Sequence, residues 1–378
     1  MVDEVAKARP SRSVSDRLLG VMAAGLAAIA CHSALAQEAS KAAWDKLVAA
    51  AEKEGEVSLA ANPDPQARIY LLSEWAKDFP KIELKFTGVP NSGWFSRVEA
   101  ERQAGKFLWD VFTSGQNDGY QLVAAKYVVP LDGLLVRPDV ADDSVWRGGI
   151  AGLFEDPEKR VIAPFSFPQS MWYDAERVSP EKVKKEGLNI LLDPAYHGQM
   201  VFQDPRIGGS GIYFGVLIHD VLGAEVLKRI MVDQRAVFIR NAGNTTERII
   251  RKQAMFMLGG RLSEFGHYAK EGLKFDIRPG GSDPKNAWLS VGGVTLSVFD
   301  KAPHPNAARV YANWILTQKV QDAESRIRTY NSKRLDVTPH ADGGLVALLG
   351  AKYIEPQKYS AIDHVRQVSD QIKQMRPD

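Results

Sequence analysis

Residues 57–86 read VSLAANPDPQARIYLLSEWAKDFPKIELKF, and their alternation decides the fold class. Val57 to Ala61 is a short apolar run of the kind that forms a strand. From Gln66 to Phe79, the residues Ile69, Leu72, Ala76 and Phe79 recur at helical spacing. Ile82, Leu84 and Phe86 then alternate with polar residues, as a strand does. The rhythm extends in both directions. Upstream, Ser40 is placed to cap a helix carrying Trp44, Leu47, Val48 and Ala51, which Gly55 ends. Downstream, 93–105 reads as a helix and Asp110-Val111-Phe112-Thr113 as another strand. Such repetition predicts parallel strands joined by crossover helices, an open α/β sheet. Ligands of these sheets sit beyond the carboxyl ends of the strands. That singles out two loops, Ala61-Asn62-Pro63-Asp64 and Ser114-Gly115-Gln116-Asn117-Asp118.

A second α/β pattern begins near Pro164. Val161 to Tyr173 is a long extended run, followed by a strand at 198–202 and a helix from about Ile212 to Gly223. Helices are expected over Glu225 to Arg229, Thr245 to Lys252 and Asn306 to Thr317, with strands over Phe275 to Arg278 and Thr295 to Phe299. No internal repeat and no long Gly/Ser linker separates the two patterns, so the chain is expected to cross between lobes on strands. A length of 378 residues suits two or three compact units. With a formal net charge of +2, no strong field points to nucleic acid.

The first 36 residues differ from the rest. Lys7, Arg9, Arg12 and Arg17 precede an uncharged apolar run from Leu18 to Ala30, and Ala34-Leu35-Ala36 is a small-x-small cleavage pattern. This is the layout of a secretory signal peptide. The run falls short of the ~20 residues that span a bilayer as a helix. The only cysteine, Cys31, lies in this segment, so cleavage after Ala36 leaves no thiol and no disulfide. The sequence around Cys31 is a poor match to a lipoprotein anchor. The expected location is the periplasm.

Several stretches together resemble the extracellular solute-binding proteins of ABC importers, in the branch that contains ferric-ion and small-solute receptors. They are Trp44 to Val57, Asp110 to Ser114, the Asp204-Pro205-Arg206 loop, and Lys301-Ala302-Pro303-His304-Pro305-Asn306-Ala307-Ala308 running into Ala312-Asn313-Trp314-Ile315-Leu316. The resemblance implies a type II, Venus-flytrap fold: two α/β lobes, a central cleft and crossing hinge strands. It implies a monomer that delivers a captured solute to a membrane permease and does no catalysis. Lobe 1 is expected over 37–164 with 297–330 returning to it, lobe 2 over 165–296, and a C-terminal helical segment over 331–378.

Ligand-binding candidates come from the loops that such a fold turns toward its cleft. From the first lobe these are Asn62, Asp64, Ser114 and Gln116. In the second, Gly208-Gly209-Ser210-Gly211 precedes a helix, where glycines admit a ligand and N-terminal amides favour anions; the same stretch also reads as a plain turn. Asp204-Pro205 reads as a structural turn. The loop Arg240-Asn241-Ala242-Gly243-Asn244-Thr245 offers Asn241 as a donor, with Thr245 as a plain helix cap. Phe167, Trp172 and Tyr213, with Phe165 and Phe214, are candidates for aromatic walls or for core packing.

The loop Leu258-Gly259-Gly260-Arg261-Leu262-Ser263 separates two solute classes. In ferric receptors the corresponding loop carries two adjacent tyrosines. Here those positions are Leu262 and Ser263, and Tyr268 stands alone. The loop at Asn62 also lacks the histidine often found there. Arg261 instead offers a guanidinium fork suited to a carboxylate or phosphonate. A small anionic organic solute is therefore favoured. A ferric receptor and a secreted enzyme on the same fold remain as alternatives.

Six histidines follow the leader: His197, His219, His267, His304, His340 and His364. No two of them are three or four residues apart, so no local metal motif appears. His304 is expected to shape a helix start. There is no GxSxG elbow and no phosphate-binding loop, and Asp142, Asp143 and Glu101 lack visible catalytic partners. Neither a metal nor a cofactor is expected. Arg261→Ala should weaken solute binding at least tenfold, roughly 1.4 kcal/mol. An unchanged affinity in a titration would remove the arginine clamp.

Overall fold

The computed structural model describes residues 38, 40–89, 93–207, 209–260, 263–340, 345–348 and 350–376. The expected leader and Cys31 lie outside them. Among the described residues, no helix is long and apolar enough to cross a membrane.

In chain order the strands are β1 (Glu56–Ala61), β2 (Glu83–Gly88), β3 (Val111–Thr113), β4 (Phe167–Ser170), β5 (Trp172–Asp174), β6 (Met200–Gln203), β7 (Val237–Ile239), β8 (Phe256–Leu258), β9 (Ile277–Pro279), β10 (Ala287–Ser290) and β11 (Ser297–Val298). The first sheet has the order β11-β3-β1-β2 and the second β7-β6-β8-β5-β9. Both share one plan. Three parallel strands place the earliest in the middle, β1 between β2 and β3, and β6 between β7 and β8. A strand from elsewhere in the chain then runs antiparallel beside the third: β11 on β3, and β5 on β8. The strand order reverses beside the middle strand, the position at which α/β sheets bind ligands.

The lobes are joined by extended chain. β4 and β10 form a separate antiparallel pair. One residue after β4 the chain enters β5 of the second sheet, and soon after β10 it enters β11 of the first. Ile162 bridges Leu296, and Phe165 bridges Ser332, beside this pair. The extended run expected over 161–173 is thus broken at Met171, where the chain leaves one sheet for another.

Local chemistry accounts for the elements around the cleft. β1 buries Val57, Leu59, Ala60 and Ala61, as a central strand covered on both faces must. Asp64 caps the helix Pro65–Asp78 by accepting from the amides of Gln66 (2.9 Å) and Ala67 (3.0 Å). That helix buries Ala67, Leu71 and Trp75, and Ile69, expected on the core face, is 63% exposed. Apolar residues at 69, 71, 72, 75 and 76 allow two faces. Trp75 settles the choice by donating to the Ile82 carbonyl (2.6 Å) and packing on Tyr311 and Trp314. Ser40 is helical, and its hydroxyl donates to the Val136 carbonyl (2.7 Å) instead of capping.

The later motifs are structural joints. Asp110 is fully buried, accepting from the amides of Ser58 (2.7 Å) and His304 (2.7 Å) while its other contact is His304 Nδ1 (2.9 Å). His304 therefore does stand at a helix start, just before Pro305–Trp314, held there by β3's neighbour. Glu54 caps that helix through the amides of Asn306 (3.1 Å) and Ala307 (2.8 Å). Asn313, also fully buried, accepts from the amides of Val136 and Arg137 (both 2.9 Å) and donates to the Leu134 and Arg309 carbonyls (both 2.9 Å).

The two largest apolar cores lie one in each lobe. One gathers Leu59, Trp75, Val111, Tyr311 and Trp314 around the first sheet. The other gathers Met200, Phe202, Phe214, Leu217 and Phe256 around the second, and Val368 and Ile372 of the helix Ile362–Met375 join it. Replacing Asn313 with Ala removes the partner of three part-buried backbone groups, the Val136 and Arg137 amides and the Leu134 carbonyl. It is expected to lower the unfolding free energy by about 3 kcal/mol or more, read from a urea titration. A loss below about 1 kcal/mol would mean these bonds are not holding the 134–137 segment.

Candidate functional site

The carboxyl ends of β3, β6, β7 and β8 feed the loops that border the gap between the sheets. β3 leads through Ser114-Gly115 into the helix Gln116–Ala124. β6 leads into the helix Ser210–Leu222, and β7 into the helix Ala242–Ile250. A cavity of about 360 Å³ lies in this gap, within the range of small-molecule sites.

Five of the sequence candidates meet in its wall: Gln116, Phe167, Gly209, Ser210 and Tyr213. Gln116 Nε2 donates to the Tyr213 hydroxyl across the gap (3.1 Å). Burial pushes the Tyr213 phenol above its ordinary value, although the hydrogen bond from Gln116 pulls the other way. It therefore meets Gln116 as a neutral hydroxyl. Phe167 stacks on Tyr330 (5.0 Å, 22°), and Tyr213 packs on Trp288 (5.3 Å, 51°), which gives the cavity two aromatic walls.

The remaining candidates lie elsewhere. Asn62 follows β1, and its amide donates to the Thr113 carbonyl (2.9 Å). Asp64 is the helix cap already described. Ser114 is fully buried, with its carbonyl accepting from the Thr295 amide (2.8 Å). Asn241 caps the helix beginning at Ala242, accepting from Gly243 (2.8 Å) and Asn244 (3.2 Å). Thr245 is therefore not the cap; it is buried one turn in, and its hydroxyl donates to the Asn241 carbonyl (3.0 Å). Trp172 is buried in the second lobe against Phe265, away from the cavity, because β5 turns that side of the chain to the core. Gly208, Arg261 and Leu262 lie outside the described residues. Of the carboxylates without visible partners, Glu101 accepts from Trp109 Nε1 (2.7 Å) and Asp142 caps a turn.

The glycine loop has a packing reason. A Cβ on Gly211 would stand 2.0 Å from the Gln203 carbonyl oxygen. A Cβ on Gly259, at φ +71°, would stand 3.0 Å from the Gly211 nitrogen. Gln203 also accepts from the Gly211 amide (2.9 Å) and the Ser210 hydroxyl (2.5 Å), so this helix start carries an internal cap.

Sequence reasoning missed the cation in the wall. Arg328 ends the helix Gln318–Arg328, and the next residue, Thr329, turns the chain in the left-handed conformation (φ 54°). The Arg328 side chain is 6% exposed and borders the cavity. Its Nε donates to Glu324 (2.6 Å), and Nη1 lies 3.8 Å from Asp64. Burial works against the charged guanidinium, but Glu324 outweighs it and holds the pKa above its ordinary value. Arg328 remains charged. Trp288, Ser290, Gly292, Gly293, Tyr330 and Gln357 complete the wall. No local spacing marks them, because they come from the returning strands and from the segment after the last helix of the first lobe.

Among the described residues, one group of His, Cys, Asp or Glu is close enough to share a metal ion, His219 with Asp220 and His364. None of the three borders the cleft cavity. Gly211→Ala is expected to cost about 2 kcal/mol or more of stability in denaturant unfolding, because backbone and not a flexible side chain stands in the way. A neutral result would mean that the 203–211 loop can relax.

No family model matches this chain, and no curated protein matches it. Solved structures do. Iron-bound HitA from Pseudomonas aeruginosa aligns with a TM-score of 0.62 at 15% identity, over 84% of this chain and 99% of that one. AfuA from Actinobacillus pleuropneumoniae, a periplasmic binding protein with fructose-6-phosphate bound, aligns at 0.59 and 13% identity, over 85% and 98%. A putative extracellular solute-binding protein from Bordetella parapertussis aligns at 0.65 and 12% identity, over 85% and 99%. At these identities the likeness establishes the fold. The chain has the type II periplasmic-binding-protein fold, two α/β lobes joined by crossing strands around a cleft.

Proposed function

We propose that this protein is the solute receptor of an ABC importer and that it captures a small organic anion, carboxylate- or phosphate-bearing, in the cleft. The observation that carries the reading is Arg328 in a cavity otherwise walled by aromatic rings, amides, hydroxyls and glycine backbone. Glu324 engages the Nε side of the guanidinium, and Asp64 stands at the looser distance of 3.8 Å from Nη1, so the Nη groups are the ones an anion would meet. The helices that begin at Ser210 and Ala242 add their positive ends to the same gap. Arg261, one residue beyond Gly260 of the wall, is a second cation proposed for the solute on sequence grounds.

The aromatic pairs would clamp the carbon skeleton from two sides, and the volume suits a ligand the size of a sugar phosphate. That AfuA holds fructose-6-phosphate on the same fold supports this class. Against direct iron binding stands the lack, among the described residues, of a carboxylate or histidine cluster in the cleft. Binding would favour closure of the lobes about the β4 and β10 crossing, a shift of population toward the closed form. Within this reading the protein works as a periplasmic monomer, hands its solute to a membrane permease and performs no chemistry on it. Lobe 1 is assigned to about 37–164 and 297–330, and lobe 2 to about 165–296.

Mass spectrometry and metal analysis of solute released by denaturing the periplasmic protein test the proposal. One organic anion per chain is expected, and stoichiometric iron would overturn it. For that solute, Arg328→Lys should weaken binding at least tenfold, about 1.4 kcal/mol, because an ammonium keeps the charge beside Glu324 but loses the fork. Undiminished affinity would remove Arg328 from the site.

A further inference from the structure

Asp220 and His364 lie 144 residues apart in sequence, yet their side chains meet on the outer face of the second lobe. His219 and Asp220 belong to the last turn of the helix Ser210–Leu222, and His364 to the first turn of the helix Ile362–Met375. The two helices pack closely because Gly215 leaves room for Ile372, whose Cδ1 would lie 3.0 Å from a Cβ placed there. Asp220 sits between the imidazoles, with Oδ1 2.7 Å from His219 Nδ1 and Oδ2 2.9 Å from His364 Nε2. One donor atom from each of the three lies within 4.8 Å of the others.

We propose that His219, Asp220 and His364 form a binding site for a divalent transition cation of the zinc type, separate from the cleft. Two imidazole nitrogens and one carboxylate oxygen make a three-ligand set that zinc accepts, with water as the fourth ligand. Tetrahedral ligands at zinc distances stand about 3.3 Å apart, so the two histidine–carboxylate spacings would open by roughly half an ångström, and the two imidazole nitrogens start within 4.8 Å of each other. The side chains permit this, being 21%, 24% and 44% exposed. That exposure also leaves a path for the ion. The carboxyl end of the helix Ser210–Leu222 adds a partial negative charge beside two of the ligands.

The site would fasten a strap that touches both lobes. Just before the helix carrying His364, the Tyr359 amide donates to the Glu155 carbonyl (3.3 Å), and its ring packs edge-on against Tyr120 (5.3 Å). Those partners belong to the side of the first sheet, whereas Val368 and Ile372 are buried in the second core. A metal at His364 would therefore hold the strap where it enters the second lobe.

The untagged mature protein, stripped with chelator, tests this with Zn²⁺ in a calorimetric titration and with Co²⁺ by visible absorption. Expected are one Zn²⁺ per chain, the strong visible bands of four-coordinate Co²⁺, and a Zn²⁺-dependent rise in thermal midpoint. His364→Gln and His219→Gln should each weaken Zn²⁺ binding at least tenfold and abolish the thermal shift. Their circular dichroism and their affinity for the cleft solute should stay as in the parent chain. If His364→Gln folds poorly, His219→Gln carries the test, since it leaves the Asp220–His364 contact in place. Failure to bind stoichiometric Zn²⁺, or equal binding by a folded His219→Gln variant, would overturn the site and show a plain histidine–aspartate staple between helices.

Discussion

A parallel strand can be followed by another in the same sheet only through a crossover, and that constraint places the loops at the strand ends that supply Gln116, Gly209, Ser210 and Tyr213 to the cleft. Each crossover here is helical or contains a helix, so each loop at a carboxyl strand end is also a helix start. Four such ends, from β3, β6, β7 and β8, open on one gap. The gap thereby collects helix starts, glycine turns and short polar side chains from loops far apart in sequence. Placing the first strand of each set in the middle concentrates the effect, because successive crossovers run to opposite sides of it.

The groups that hold the lobes together differ in kind from those that face the cleft. Asp110 and Asn313 are buried and satisfied on every side, and they tie β3 and the 134–137 segment to the helix Pro305–Trp314. Their polar atoms have nothing left for a ligand. Arg328 is held closely by Glu324 and more loosely by Asp64, at 3.8 Å, and it also borders open volume. Gln116 and Tyr213 sit between these extremes. They bond to each other across the gap, and a solute that replaced that contact would exchange one hydrogen bond for others. Such an exchange costs little, which suits a receptor that must open and close.

The α/β class and most elements of the first lobe were legible because periodicity and turn residues agree there. The strands at 57–61 and 82–86 and the helix between them follow their apolar spacing. The buried face of that helix did not, since its apolar residues fit two faces and only the tertiary partner of Trp75 chooses between them. The hinge pair β4 and β10 was also hidden, because pairing between residues 167 and 290 leaves no local signal. The cleft wall shows the same division. Loops at strand ends were predictable, and they supplied Gln116, Gly209, Ser210 and Tyr213. Arg328, Tyr330 and Trp288 were not, since they reach the cleft from returning segments. Trp172, an aromatic in the right region, faces the core because a strand turns neighbouring side chains to opposite sides. Histidines scattered along the chain gave no metal spacing, yet helix packing brings His219 and His364 to one carboxylate.

The central claim is that two lobes close on a solute held between them. It is tested most directly by the distance between spin labels at Gln66→Cys and Asn244→Cys, on exposed helix starts at opposite sides of the gap. The only native cysteine lies in the expected leader, so the mature chain would carry these two labels alone. Pulsed electron resonance would compare protein as purified from the periplasm with protein stripped of solute by unfolding and refolding. The account predicts a shorter, narrower distance distribution with solute and a longer one without it. The same distribution in both, with solute shown to be bound in one, would contradict lobe closure.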